Sequence, residues 1–173
     1  MEDGMRRDMT ATMEVNGRAC PVAPLSPTLG AAPTLLDVLR EQVGDMSVKP
    51  GCRVGRCGGC MVLLDGQAIN ACLLPAYRAA GRSVITAAGI EMLPEGAIVR
   101  EELVQGNAFQ CGYCAPGFVI AITALMRETG GHVGRAQIRA AMSGNLCRCT
   151  GYASIERAVL RIARRVAAIP AGG

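Results

Sequence analysis

Apolar and polar positions follow two different periods along the chain, and the change falls near residue 90. In MEVNGRACPV (13–22), short alternating flanks surround Asn16-Gly17, a dipeptide suited to a two-residue hairpin turn, which predicts an opening strand pair. A Pro-rich connector leads to PTLLDVLREQV (33–43). The spacing predicts a helix starting at Pro33 or Thr34, burying Leu35, Leu36, Val38 and Leu39, and ending at Gly44. The Gly-rich KPGCRVGRCGGC (49–60) then enters a second hairpin, MVLLDGQAIN (61–70), turning at Asp65-Gly66, and SVIT (83–86) supplies a last strand. Strands, one helix and a cysteine-bearing loop make the first half α+β.

After residue 90 the period is helical. AIVREELVQGNAF (97–109), GFVIAITALMRE (117–128), RAQIRAAM (135–142) and SIERAVLRIARRVAAI (154–169), joined by short Gly-containing turns, predict an antiparallel four-helix bundle. In the last helix Ile155, Val159, Ile162, Val166 and Ile169 share a face, with Arg157, Arg161, Arg164 and Arg165 mostly opposite. That arginine run reads as a solvated face or a subunit contact. With the basic residues otherwise scattered and a net charge of only +4, no nucleic-acid partner is expected.

A chain of 173 residues holds one compact domain or two small ones, and small halves often need a covalent or metal staple. Nine cysteines raise the question of which. Residues 1–10, MEDGMRRDMT, lack the apolar stretch of a secretory signal; Asp8, Thr10 and Thr12 stand where one should follow the Arg6-Arg7 pair. Without a run of 18 apolar residues no membrane span is expected, and the protein reads as soluble and cytoplasmic. A reducing compartment and an odd count both argue against a full disulfide framework, which leaves metal as the sharper reading.

Cys52, Cys57, Cys60 and Cys72 form C-x4-C-x2-C-x11-C, whose first three positions match the plant-type ferredoxin spacing. Gly51, Gly55, Gly58 and Gly59 provide a backbone that can approach a cluster closely. Counting outward from the Asp65-Gly66 turn pairs Cys60 with Ala71, so Cys72 lies at the same end of the hairpin. Cys111, Cys114, Cys147 and Cys149 form C-x2-C, then C-x-C after 32 residues. Both pairs are placed beside helix starts, where the helix dipole favours thiolates. A structural zinc in either group is the competing reading, and unbound buried thiols the third. A Rieske centre needs two histidines, and His132 is the single one; it reads as a polar loop residue. Cys20 reads as a small buried hydrophobe, and Gln110 and Tyr113, taken alone, as loop residues.

The segments GCRVGRCGGC (51–60) with NAC (70–72), QCGYCAPG (110–117) and GNLCRCTGY (144–152) resemble the small 2Fe-2S subunit of the molybdenum hydroxylases, the xanthine dehydrogenase family. The resemblance implies a β-grasp, plant-ferredoxin-like domain over 10–86 and a four-helix 2Fe-2S domain over 90–169. It implies two 2Fe-2S clusters, one on each cysteine group. A large partner subunit is then expected to bind molybdopterin and hydroxylate the substrate, and an FAD-binding medium subunit or a cytochrome to accept electrons. By the same resemblance Gln110 and Cys149 approach the pterin, electrons pass from the Cys111 group to the Cys52 group, and this chain is a relay without its own substrate site. A free, diffusible ferredoxin and a zinc structural module are the alternatives. Gly59 and Met61 depart from the family's more usual residues beside the first group.

Overall fold

The structure, a computed structural model, describes residues 11–22 and 33–169. The signal-peptide reading of residues 1–10 and most of the Pro-rich connector lie outside that range.

Two hairpins and a later strand build one sheet. Strands β1 (Thr12–Val15) and β2 (Arg18–Pro21) pair antiparallel through Asn16 and Gly17, whose φ values of 50° and 76° are those of a type I′ turn. Strands β3 (Met61–Leu64) and β4 (Gln67–Asn70) do the same around Asp65 and Gly66, at 48° and 84°. Strand β5 (Ser83–Ile85) lies between the hairpins, parallel to β1 and antiparallel to β3, giving the order β2-β1-β5-β3-β4. A short, non-local strand thus joins two local hairpins.

Helix α1 (Leu35–Glu41) buries Leu35, Leu36, Val38 and Leu39 against the sheet core of Met13, Val15, Val62, Leu64 and Val84. Its start is fixed by a capping box in which the Asp37 N–H donates to Thr34 Oγ1 and the Thr34 N–H to Asp37 Oδ2. Burial raises the Asp37 carboxyl, but hydrogen bonds from Thr34 and Arg53 outweigh it and hold the group below its ordinary value. The Arg53 contact, 2.7 Å, ties α1 to the first cysteine loop.

The later helices are α2 (Pro94–Gln105), α3 (Ala115–Thr129), α4 (Arg135–Met142) and α5 (Ala153–Ala167). They enclose Val99, Leu103, Phe118, Ile122, Met126, Ile138, Ile155, Val159, Ile162 and Val166. The expected run 97–109 differs at both ends: Pro94 starts α2 as an N1 proline, and Gly106 with Asn107, at φ 44°, stops it. Ile169 is 41% exposed, because α5 ends before the stripe can bury it. Arg161 and Arg165 are neither free nor simply solvated; both pair with buried Glu102 on α2. Among the described residues no helix is long and apolar enough to cross a membrane.

A third, smaller core was not foreseen. Leu63 of β3, Ile90 and Ile120 of α3, all buried, pack together, so the sheet and the helices share an apolar seam.

Candidate metal centres

The first cysteine group sits where α1, the loop 49–60 and the β3–β4 hairpin meet. The predicted register holds: the Ala71 N–H donates to the Cys60 carbonyl at 3.2 Å, beyond the Met61–Asn70 pair. Cys60 and Cys72 are therefore neighbours, both buried, at the mouth of the hairpin. Cys52 lies in the preceding loop, where its Sγ accepts backbone N–H bonds from Arg56 (3.1 Å) and Val54 (3.4 Å). Cys57 Sγ accepts one from Cys52 at 3.3 Å. The Val54 N–H, with smaller help from Arg56 and Cys57, lowers the Cys52 thiol to about 6 against the effect of burial. Burial foremost, then the neighbouring Cys72 and Cys57, pushes Cys60 up to about 12. Hydrogen bonds to sulfur thus favour the thiolate at Cys52, and burial disfavours it at Cys60.

The glycines shape this cradle. A Cβ on Gly51 would stand 2.6 Å from Cys57 Sγ, and one on Gly55 would stand 2.4 Å from Leu73 Cδ1. Gly59 packs against Cys57 Sγ and the Lys49 carbonyl. Gly58, at φ 69°, faces Asn145 and Gly144 of the other half, with 2.4 Å between its virtual Cβ and Asn145 Nδ2. At Gly51 and Gly58 any side chain would occupy space already filled by a thiol or by the opposite loop.

The second group is assembled from two loops. Cys114 immediately precedes α3, and Cys147 and Cys149 lie between α4 and α5. Packing of these helices brings Cys149 Sγ to 3.7 Å from Cys111 Sγ. Burial, then contact with Cys147 and the nearby Cys111, pushes Cys114 up to about 12. Burial also raises Cys147, but the Thr150 hydroxyl, 3.2 Å away, and the N–H groups of Cys149 and Thr150 more than offset it and leave that thiol below its ordinary value. The hydrogen bond with Cys111 raises Cys149. Tyr152, at φ 67°, braces the loop: its hydroxyl accepts from the Cys147 N–H at 2.9 Å and donates to the Asn145 carbonyl at 3.3 Å.

Gln110, Cys111 and Cys149 are exposed on one rim. Gln110 also borders a groove of about 610 Å³ with Lys49, Arg100, Val104 and Phe109 on its walls. Tyr113 links the halves: its hydroxyl donates to the Pro50 carbonyl at 3.4 Å, and Lys49 Nζ lies 5.8 Å from its ring centre. Cys20 is half-buried on β2, and its thiol donates to the Arg18 carbonyl; it reaches the sheet core only partly, because β2 is an edge strand. His132 is an exposed loop residue.

Within each group thiols approach one another, as Cys149 Sγ does Cys111 Sγ, and backbone N–H groups in the first are aimed at sulfur; the thiolates of iron-sulfur clusters accept such bonds. Among the described residues no three His, Cys, Asp or Glu side chains stand close enough to hold one metal ion. Sequence reasoning overlooked Asn145, Gly117 and Tyr152. All lie inside or beside the cysteine segments, but their roles depend on loops that are distant in sequence.

The family described as 2Fe-2S binding domain matches residues 86–160. The nicotine 6-hydroxylase small subunit of Paenarthrobacter nicotinovorans is 41% identical over 86% of this chain and 86% of its own length. The xanthine dehydrogenase iron-sulfur-binding subunit of Escherichia coli O157:H7 is 40% identical over 90% and 96%. Among solved structures, quinoline 2-oxidoreductase from Pseudomonas putida 86 superposes with a TM-score of 0.80 at 32% identity, over 91% of this chain and 95% of the matched one. Aldehyde oxidoreductase from Desulfovibrio desulfuricans gives 0.79 at 37% identity, over 91% of this chain and 17% of the other. Sequence likeness and superposition agree, and the chain belongs to the family of 2Fe-2S iron-sulfur subunits of xanthine dehydrogenases and related molybdenum hydroxylases, as a redox subunit of an oxidoreductase.

Proposed function

We propose that this chain is the electron relay of a cytoplasmic molybdenum hydroxylase complex, with one 2Fe-2S cluster on Cys52, Cys57, Cys60 and Cys72 and a second on Cys111, Cys114, Cys147 and Cys149. The first belongs to a β-grasp unit over 10–86 and the second to a four-helix unit over 90–169. A 2Fe-2S cluster, when bound, accepts and returns single electrons. The chain's own task is to hold two such groups at a fixed separation and to shield them.

The observation that carries this reading is the direct contact between the two cysteine loops. The Leu146 N–H donates to the Cys57 carbonyl at 3.0 Å. Cys57 belongs to the first group, and Leu146 is the residue before Cys147 of the second. One hydrogen bond therefore connects the two ligand loops through a few covalent bonds, as a relay within one chain requires and a shuttle with one docking site does not.

The exposed rim of Gln110, Cys111 and Cys149 is the face we assign to the large subunit, with Gln110 and Cys149 toward its molybdopterin. The first group then hands electrons to FAD in a medium subunit or to a cytochrome. Substrate hydroxylation belongs to the large subunit, which leaves this chain without a catalytic residue of its own.

Electron paramagnetic resonance on the dithionite-reduced native complex, with iron, molybdenum and zinc measured in the same sample, tests the proposal. Two distinguishable S = 1/2 signals, about 4 Fe per chain and co-purifying molybdenum are expected. One signal without molybdenum would indicate a diffusible ferredoxin. Stoichiometric zinc in a colourless protein isolated without air would overturn the cluster assignment.

A further inference from the structure

We propose that Asn145 is a positioning residue that sets the geometry between the two cysteine groups, an inference that rests on the relay reading above. It is 2% exposed, in a loop that supplies Cys147 and Cys149 two and four residues later. Its Nδ2 donates to the Gly58 carbonyl and to Met61 Sδ, both at 3.4 Å. Its neighbour Leu146 holds the Cys57 carbonyl. Two consecutive residues of one loop thus grip two consecutive carbonyls of the other, one through the backbone and one through a side chain.

The opposite side of the grip is equally close. A Cβ on Gly117, in the first turn of α3, would stand 2.1 Å from the Gly58 carbonyl oxygen and 3.1 Å from Asn145 Nδ2. The Gly58 carbonyl is therefore clamped between the Asn145 amide and the Gly117 backbone, three residues after Cys114. Elements bearing both halves of the second group meet at one peptide of the first. Asn145 acts through the loops that carry Cys57 and Cys147, not through contact with a redox group.

A buried amide with an unused acceptor is costly, and Asn145 Oδ1 has no hydrogen-bond partner among the described residues. An apolar side chain would fill a plain core position without that cost. An amide here serves the direction of its N–H groups, which locks one loop against the other.

The test uses the assembled complex carrying Asn145→Ala, with Gly117→Ala as a second variant that pries the same joint apart from the other side. Glu102→Gln serves as a control that weakens the α2–α5 contact away from the joint. Iron content and both S = 1/2 signals are expected to persist in Asn145→Ala. The magnetic coupling between the signals when both groups are reduced should fall, and electron equilibration between them should slow severalfold. Backbone hydrogen exchange in the peptide containing Leu146 should rise without a matching rise in the β1–β2 hairpin. If Asn145→Ala fails to assemble, Gly117→Ala is expected to show the same pattern. Unchanged coupling and exchange in a folded joint variant, or equal changes in Glu102→Gln, would overturn the inference. A native complex lacking two signals would instead overturn the relay reading itself.

Discussion

The two cysteine groups solve the same chemical problem by different means. Three cysteines of the first group lie within nine residues, and the fourth is brought alongside by a hairpin whose register follows from a two-residue turn. Its inner thiols, Cys60 and Cys72, are buried. The second group joins pairs separated by 32 residues, and only the packing of α3, α4 and α5 closes it. Two of its thiols, Cys111 and Cys149, are exposed. A site built from local register can be protected within its own loop. A site built at the meeting of helix starts keeps an open rim, the face proposed above for a partner subunit.

The largest expected effect separates the groups outright. Cys149→Ala should abolish the second cluster's signal and halve the iron per chain, with the first signal preserved; loss of both would mean that the seam of Leu63, Ile90 and Ile120 makes one folding unit of the two halves. Gly51→Ala is the converse. Its methyl would press on Cys57 Sγ at 2.6 Å, an overpacking of about 1–3 kcal/mol, and should broaden or remove the first signal while the second stays unchanged.

A smaller effect is expected at the ion pairs that hold α2 to α5. Hydrogen bonds from Arg161 and then Arg165 keep the Glu102 carboxyl below its ordinary value. A carboxyl lowered on folding contributes stability above its unfolded pKa of about 4.3, and that contribution disappears as pH falls through the lower folded value. Both arginines are about two-fifths exposed, so Glu102→Gln should cost about 1 kcal/mol at neutral pH. Thermal unfolding should show the gap to the native protein closing as the pH falls below about 4. The smallest effect belongs to Cys20→Ala, which removes a half-buried edge-strand thiol outside both groups. Stability should change by no more than about 0.5 kcal/mol, and both resonance signals should be superimposable on those of the native complex.

Much of the local structure is legible in the residues alone. Asn16-Gly17 and Asp65-Gly66 specify turns because few residues adopt two successive positive φ angles. Leu35, Leu36, Val38 and Leu39 mark a buried helix face, and the Cys60–Ala71 register follows from counting. Ends are less legible: Gly106 and Asn107 stop α2 before the apolar run does, and Ile169 lies past the end of α5. The arginine run on α5 reads as solvated because Glu102, its buried partner, sits 59 residues from Arg161 on another helix.

By itself the sequence determined which residues turn, which faces are apolar and which eight thiols fall into two sets, since each follows from spacing over a few residues or from a repeated motif. Only the tertiary structure decided that β5 would lie between the hairpins and that α3 would pack on β3. It also decided that Asn145 would meet Gly58 across 87 residues. Such contacts depend on which surfaces are left complementary once the local elements have formed, and no short-range periodicity encodes that choice.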